Sequence, residues 1–364
     1  MALASITALV LLIVTILFTG FAIFSFGRAL YITKNKSYLH IFAGVVLGFF
    51  ASIFSSIANF YPNEEIYKGT VVIFVILANV CFSLSLFSFF NGLIFIKEDK
   101  LPIFSYISAL AIGSIAVLTT NINSSNLLYN TFYSVWNVNY SSTSFMIVSI
   151  ITQIIIITYF VLYLNIKIQK LKNYKRADIS FVAILCLALW MLSTYFIELR
   201  ALRFFLFPVS FGLFGLAVFL DPLNLLVTNE LPSEIILVTK YGQPMLRYNV
   251  QNKRIDRNIA EVRLLIAGNK VISDTVKEDE SPINLIMRNR EAKIIELNNF
   301  YIISIGTKIN NNVVSAIRTA FRDFESKTDL EYVTSSSVLN ESDETLFTNI
   351  FSEHLIRIDG RKTN

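Results

Sequence analysis

Charge is scarce in the first 220 residues of this 364-residue chain. They contain 13 lysine and arginine residues and six aspartate and glutamate residues, whereas the rest of the chain contains 18 and 20. Hydrophobic residues make up 54% of the sequence, which excludes an ordinary soluble composition. We therefore expect a membrane part followed by a soluble part. Because the excess of basic residues belongs to the membrane part, nucleic acid is not an expected partner.

Cysteine and histidine are also rare, with two of each. Cys81 and Cys186 fall inside apolar segments, which excludes a disulfide framework and favours packing roles. His40 and His354 have no metal-ligand companions at useful spacing, and His354 is expected at the surface or as a helix cap. The sequence contains neither a Gly-x-Ser-x-Gly elbow nor a His-Glu-x-x-His pair. We predict a protein that is not an enzyme and that holds no metal or cofactor.

Long apolar segments dominate residues 1–222. A helix of about 20 apolar residues crosses the ~30 Å hydrocarbon core of a bilayer. Seven segments meet this requirement, at residues 3–26, 38–60, 70–96, 102–119, 143–165, 179–197 and 204–220. The sequence therefore predicts an all-α, seven-helix transmembrane domain.

The short loops between these segments differ in basic residues, which are retained on the cytoplasmic side. One alternate set of loops carries ten lysine or arginine residues, and the other carries only Lys68, Arg200 and Arg203. This asymmetry predicts a multi-pass protein of the cell membrane with its N-terminus outside and its C-terminal part in the cytoplasm. The uncharged outer loop 121–142 contains Trp136 and Tyr129, whose rings suit the membrane interface.

A basic run lies in the longest cytoplasmic loop. It contains Lys167, Lys170, Lys172, Lys175 and Arg176. Near anionic lipid each of these charges could contribute about 1 kcal/mol, which would make the run a lipid-surface contact. The alternative is a simple determinant of topology.

Neutral amide side chains are the main polar groups within the predicted spans. Asn59, Asn79, Asn91 and Gln153 could line a ligand pocket between helices. The alternative is that they form interhelical hydrogen bonds, each worth about 0.6 kcal/mol. Gly212 and Gly215, with Ser210, are expected to allow close packing of the last span.

The chain beyond residue 222 has the pattern of an α+β domain. A connector at 223–231, between two prolines, leads to a domain at 232–330. Alternating and β-branched runs predict strands, and a 3.6-residue apolar period predicts helices. The expected strands are residues 234–240, 245–250, 283–288, 292–297 and 300–307, and the expected helices are 258–277 and one from residue 312. This order, β-β-α-β-β-β-α, implies an antiparallel sheet covered by helices. Residues 331–364 are expected to form a polar segment, an amphipathic helix and a tail.

Two family resemblances follow from these patterns. Residues 235–246, with the hydrophobic-Gly-x-Pro hairpin, and the meander ending at 300–305 before a helix resemble the longin and roadblock superfamily, in particular the longin-like domains of archaea. The seven spans closing on Leu220-Asp221-Pro222-Leu223 are similar to the sensor region at the N-terminus of some histidine kinases. The first resemblance implies an interaction platform that binds a small GTPase or forms a homodimer. A kinase domain is not expected in a soluble part of about 140 residues.

These patterns lead to one expected function and two alternatives. The first is a receptor or sensor whose partners are the lipid bilayer and a cytoplasmic protein. The second is a constitutive membrane anchor or trafficking scaffold. The third is a small-solute transporter with a regulatory domain, which paired broken helices or an inverted repeat would support.

Overall fold

The computed structural model divides the chain into two compact units, Met1–Leu225 and Leu226–Asn364. The division falls inside the predicted connector. The structure describes residues 2–61, 64–95, 109–110, 113, 127–130, 135–138, 178–193, 200–226, 228, 230–256, 283–287, 290–297, 300–328 and 339–359.

The first unit is built from long apolar helices. Its described elements are α1 (Ala2–Thr33), α2 (Lys36–Phe60), a 3₁₀ turn (Glu65–Tyr67), α3 (Lys68–Phe95), strands β1 (Leu127–Asn130) and β2 (Val135–Val138), α4 (Asp178–Ser193) and α5 (Arg200–Leu220). Lys34, at a positive φ of 49°, turns the chain between α1 and α2. The side chain of Asn35 then caps α2 by accepting a hydrogen bond from the Ser37 amide at 2.8 Å.

Three of the described helical segments are long and apolar enough to cross a membrane, namely Leu12–Thr33, Lys36–Phe60 and Glu65–Leu93. These segments support membrane association. Phe205–Leu220 is apolar but shorter, and α4 is described over 16 residues, about 24 Å of helix. The predicted spans 102–119 and 143–165 lie almost wholly outside the described residues, so the count of seven and the orientation stay predictions.

The end of the first helix differs from its prediction. We expected the first span to end near residue 26 and counted Arg28 as a loop cation, but α1 continues to Thr33. The expectation was wrong because nothing between Phe26 and Thr33 breaks a helix. Arg28 therefore lies on α1 itself.

Small residues let the helices approach closely. A Cβ atom added at Gly215 of α5 would lie 2.7 Å from Ala22 Cα of α1, and one added at Gly212 would lie 2.4 Å from Phe18 Cδ1. Ser210 donates a hydrogen bond to the Ala183 carbonyl oxygen of α4 at 2.9 Å. The prediction that Gly212, Gly215 and Ser210 allow close packing of the last span is confirmed.

The second unit contains a six-stranded antiparallel sheet. Its strands are β3 (Glu234–Thr239), β4 (Pro244–Asn249), β5 (Arg254–Asp256), β6 (Ile283–Met287), β7 (Arg290–Glu296) and β8 (Phe300–Gly306), in the spatial order β5-β4-β3-β8-β7-β6. Five of these strands match the predicted ones within two residues at each end. The short strand β5 was not predicted, and the predicted helix 258–277 lies outside the described residues. The α+β class is confirmed at this coarse level, while the longin identity stays a prediction.

Two helices follow the sheet, α6 (Asn311–Glu325) and α7 (Glu341–Ile358). Aromatic rings connect them with one face of the sheet: Phe321 lies 5.6 Å from Phe300 of β8, and Phe347 lies 6.4 Å from Tyr248 of β4. Phe324 and Phe347 join the helices to each other at 5.3 Å. The other face carries a separate buried apolar cluster, Ile236, Val238, Ala292, Ile294, Ile303 and Ile305. Because both faces are covered, all six residues of β3 are buried.

The α1–α5 contact can be tested with matched substitutions. We expect Gly215→Ala to lower the thermal stability of the detergent-solubilised chain, since the added methyl group meets Ala22 backbone, and overpacking of this kind costs about 1–3 kcal/mol. Gly20→Ala is the control, because a Cβ at Gly20 has no heavy atom within 4 Å. Both variants gain the same helix propensity. Equal melting temperatures for the two variants would contradict the contact.

Candidate functional site

Helix α5 ends in a compact turn. The Asp221 amide donates to the Ala217 carbonyl oxygen at 3.1 Å, and the Asn224 amide donates to the Asp221 carbonyl oxygen at 2.9 Å. The Asp221 carboxylate also accepts a hydrogen bond from the Leu223 amide at 3.0 Å. Pro222 has no amide hydrogen and cannot continue the helix, so α5 stops, and the Asp221 carboxylate satisfies the Leu223 amide just beyond its end. Leu223, Asn224 and Leu225 are buried, so this part of the predicted connector belongs to the first unit.

Two side chains from the first two helices hold this turn, and we call them the clamp. Arg28 of α1 donates to the Phe219 carbonyl oxygen at 3.1 Å, and its guanidinium carbon lies 4.8 Å from the centre of the Phe219 ring. Tyr38 of α2, fully buried, donates its hydroxyl hydrogen to the Pro222 carbonyl oxygen. A cation at a helix C-terminus is favoured by the helix dipole, and a cation over an aromatic ring adds about 0.5–1 kcal/mol at an exposed site. The clamp therefore ties the end of α5 to α1 and α2.

The connector enters the second unit through Thr228. Its amide donates to the Ile358 carbonyl oxygen at 2.8 Å, and its hydroxyl oxygen accepts from the Asn310 side chain at 2.7 Å while donating to the Glu230 carbonyl oxygen at 2.9 Å. Asn310 also caps α6 by accepting from the Val313 amide at 3.0 Å. Thr228 is thus bonded to the start of α6 and to the end of α7. Only residues 226 and 227 lie between it and Leu225 of the first unit.

Two of the predicted ligand-binding amides, Asn59 and Asn91, lie far apart. Gly44 of α2 packs on Phe89 near the end of α3, so these two helices run antiparallel. Asn59 lies near the C-terminal end of α2 and Asn91 near the C-terminal end of α3, so the two residues are at opposite ends of the helix pair. Asn79 is half-buried midway along α3. Asn59 and Asn91 therefore do not line one pocket. Ligand binding by the four amides stays a prediction, and Gln153 lies outside the described residues.

Asn59 has a structural partner. Its side-chain oxygen accepts a hydrogen bond from the Trp136 amide at 2.9 Å, and the Trp136 indole donates to the Tyr61 carbonyl oxygen at 3.1 Å. Trp136 belongs to the β1–β2 hairpin, is 5% exposed, and packs with Ala58, Val71 and Leu127. This ring anchors the described hairpin of the predicted outer loop to the end of α2 and the start of α3, and its expected place at the membrane interface stays a prediction.

The predicted lipid-contact run, Lys167, Lys170, Lys172, Lys175 and Arg176, lies outside the described residues. Its role stays a prediction. Among the residues that the structure does describe, no three His, Cys, Asp or Glu side chains converge as a metal site would require.

His354 differs most from its prediction. It is 2% exposed rather than a surface residue, and its Nδ1 lies 2.9 Å from the Ile350 carbonyl oxygen. Its Nε2 lies 2.9 Å from a carboxylate oxygen of Asp323 on α6. A carbonyl and an ionised carboxylate only accept hydrogen bonds, so both ring nitrogens face acceptors. Helical spacing could have revealed this position, because His354 lies four residues after buried Ile350 and three after Phe351.

The imidazole of His354 lowers the pKa of the Asp323 carboxyl group, through its hydrogen bond first and its charge second, with further lowering by Arg357 and Lys327. Arg357 likewise lowers the pKa of Glu353 through a hydrogen bond across one turn of α7. The ionised Asp323 carboxylate therefore helps to hold α7 on α6, whereas the Glu353–Arg357 pair lies within α7.

Comparison of the chain with protein-family models, with curated proteins and with solved structures found no match.

The clamp leads to a prediction about Tyr38→Phe, which removes the donor to Pro222. We expect amide hydrogen exchange at residues 221–225 of the detergent-solubilised chain to become about five- to tenfold faster, since one such hydrogen bond is worth about 1 kcal/mol. Tyr31→Phe, on α1 at a residue that is 75% exposed, is the control. Unchanged exchange in Tyr38→Phe would show that the hydroxyl does not hold the turn.

The α6–α7 ion pair gives a prediction about pH. Because the pKa of folded Asp323 lies below its usual value near 3.9, its contribution is present at neutral pH and is lost as the pH falls below about 4. Asp323→Asn should destabilise the second unit at pH 7 by about 1 kcal/mol, a small value because the carboxylate is half exposed, and should have little effect at pH 3. Chemical denaturation followed by exchange in residues 341–358 would measure this.

The control for this experiment is Glu325→Gln on the same helix. Glu325 is an exposed carboxylate of α6, so its neutralisation should leave α7 in place at both pH values. Equal losses in the two variants would mean that general charge, and not the His354 contact, determines the pH response.

Proposed function

We propose that the chain is an integral membrane receptor or sensor. In this proposal a seven-helix bundle, with its N-terminus outside, perceives an external or membrane-embedded cue. It is coupled to a cytoplasmic longin-like domain that recruits a small GTPase or pairs with a second copy of the chain. The three membrane-length helices and the antiparallel sheet unit support the coarse form of this arrangement.

The observation that carries the proposal is the short stretch of chain between two fixed points. The first point is the buried Asp221 turn, held to α1 and α2 by the clamp. The second is Thr228, bonded to Asn310 and Ile358. Residues 226 and 227 cannot act as a long flexible tether, since such tethers need many residues to absorb motion. A displacement of the end of α5 is therefore passed along the chain.

The mechanism requires two arrangements of the helices. A cue changes the balance only if it binds one arrangement more tightly than the other. The clamp contacts are each worth about 1 kcal/mol, whereas a shift from 1:99 to 99:1 needs about 5.5 kcal/mol of differential binding. Breaking the clamp contacts therefore costs less free energy than the differential binding that a ligand must supply to shift the two arrangements. Asn79 and Gln153 are our candidates for the polar groups that such a ligand would contact.

A constitutive membrane anchor is the second candidate. The bond between Asn59 and Trp136 favours it, because that amide supports the fold instead of facing a cavity. The same clamp would then only hold the second unit at the membrane. The two functions differ in whether the bundle alters the activity of the second unit.

A linker insertion distinguishes the receptor from the anchor. We would insert Gly-Ser-Gly-Ser after Leu226 and measure capture of purified small GTPases, and of a tagged second copy, by the full chain in nanodiscs. A receptor predicts that capture by the wild type differs from capture by the insertion variant and by a chain whose bundle is replaced with one unrelated span. An insertion of the same residues near Ser336, in the polar stretch before α7, is the control.

Identical capture by all of these chains would establish the anchor and would exclude the receptor. Capture that is unchanged when residues 226–364 are removed would contradict both, since neither function would then depend on the second unit.

A further inference from the structure

The six-stranded sheet of the second unit ends on one side at β6. This strand pairs with β7 along its whole length, from Ile283 opposite Ile294 to Met287 opposite Arg290. It is the last strand in the spatial order of the sheet. An edge strand presents unpaired backbone N–H and C=O groups along its outer side. Among the strands that the structure describes, none pairs with the outer side of β6.

The register of β6 shows which of its side chains share a face of the sheet. Leu285 lies opposite Ala292 of β7 and packs against the apolar cluster that contains Ala292. The alternate residues Asn284 and Ile286 therefore lie on the other face, the one that carries α6 and α7. Both residues are exposed, Ile286 to 89%. Helices α6 and α7 thus leave this face of β6 uncovered.

The opposite edge of the sheet is protected. Strand β5 has only three residues, and two of them, Arg254 and Asp256, are charged. The third, Ile255, lines a groove together with Thr345 and Thr348 of α7, so a helix lies beside this strand. Short length, charge and cover by another element are common ways in which proteins block an edge strand. Strand β6 has five residues with neither charge nor proline, so it lacks these protections.

We infer that β6 pairs with β6 of a second copy of the chain, in antiparallel orientation about a two-fold axis. The inference rests on the proposed pairing of the second unit with another copy, and it assigns a surface to that pairing. A two-fold axis at Leu285 places Leu285 opposite its own counterpart and Asn284 opposite Ile286 of the other copy. All five residues of β6 are then paired, and the two six-stranded sheets form one continuous sheet.

A second copy fits this edge because the strand is compatible with itself. Two identical strands without charge do not repel one another when they pair. The two Ile286 side chains come onto the same face as diagonal neighbours, about 7 Å apart and within reach of one another. Each of them then loses contact with water, which favours association. The neighbouring residues on this face of β7, Glu291 and Lys293, have opposite charges and add no net repulsion.

The first experiment measures association of the full chain in detergent by sedimentation equilibrium. We expect a dimer for the wild type. The dissociation constant of Ile286→Lys should be at least about tenfold higher, because the burial of Ile286 is lost and lysine is a typical blocking residue of edge strands. The melting temperature should not change, since a side chain that is 89% exposed makes few contacts within its own chain.

The matched control is Tyr241→Lys. Tyr241 lies in the turn between β3 and β4 and is 86% exposed, so the variant replaces an equally exposed hydrophobic residue and causes the same change in net charge. We expect it to associate as the wild type does.

Disulfide formation tests the register. In a background with Cys81→Ala and Cys186→Ala, which removes both native cysteines, chains carrying Asn284→Cys would be mixed with chains carrying Ile286→Cys. Directly opposite residues of an antiparallel pair have Cα atoms about 4.5–5.5 Å apart, a distance that a disulfide can bridge. We expect the mixture to form the mixed disulfide several-fold faster than either chain forms a disulfide with its own kind.

The inference is overturned if the wild type is monomeric, if Ile286→Lys associates as strongly as the wild type, or if Tyr241→Lys weakens association to the same extent. Equal rates of disulfide formation in the mixture and in the separate chains would contradict the two-fold register. A monomeric wild type that captures a small GTPase only while Ile286 is intact would assign the edge to another protein. Failure here leaves the linker-insertion test decisive, because GTPase capture is measured separately from self-association.

Discussion

The hydrogen bonds at the end of α5 are the constraint on which the proposed coupling of the two units depends. A helix end leaves carbonyl groups without intrahelical partners, and these must be satisfied where water is scarce. Arg28 satisfies Phe219, and Tyr38 satisfies Pro222. Because these donors come from α1 and α2, the position of the turn is set by these two helices together with α5.

Much of the architecture was predictable from patterns that depend on one residue and its neighbours. Apolar length identified the three described helices that are long enough to cross a membrane, and alternation identified five strands of the sheet. Strand β5 was missed because its three residues, Arg254–Asp256, are too few for an alternating pattern and include two charges. The end of α1 was misplaced because a cation was taken as a sign of a loop, whereas a long arginine side chain can leave a helix and reach a neighbouring helix end.

The side-chain partners were less accessible to prediction, since they depend on which surfaces meet. Asn59 and Asn91 were both predicted to line a ligand pocket because both lie within predicted spans. The antiparallel path of α2 and α3 places them at opposite ends of the helix pair. Trp136 was expected in lipid headgroups, yet the amide of Asn59 and the carbonyl of Tyr61 hold it against protein. His354 was wrongly expected at the surface, although its spacing from Ile350 and Phe351 could have placed it on the buried stripe of α7.

The positions of Thr228 and His354 suggest which part of the second unit would respond to the connector. Thr228 bonds to the start of α6 through Asn310 and to the end of α7 through Ile358. His354 lies one turn before Ile358, about 6 Å along the helix, and bonds α7 to Asp323 near the other end of α6. A displacement of Thr228 therefore acts on two helices that are also bonded to each other through His354 and Asp323. The helices would respond together, so a partner that reads the state of the bundle would be expected to contact α6 and α7.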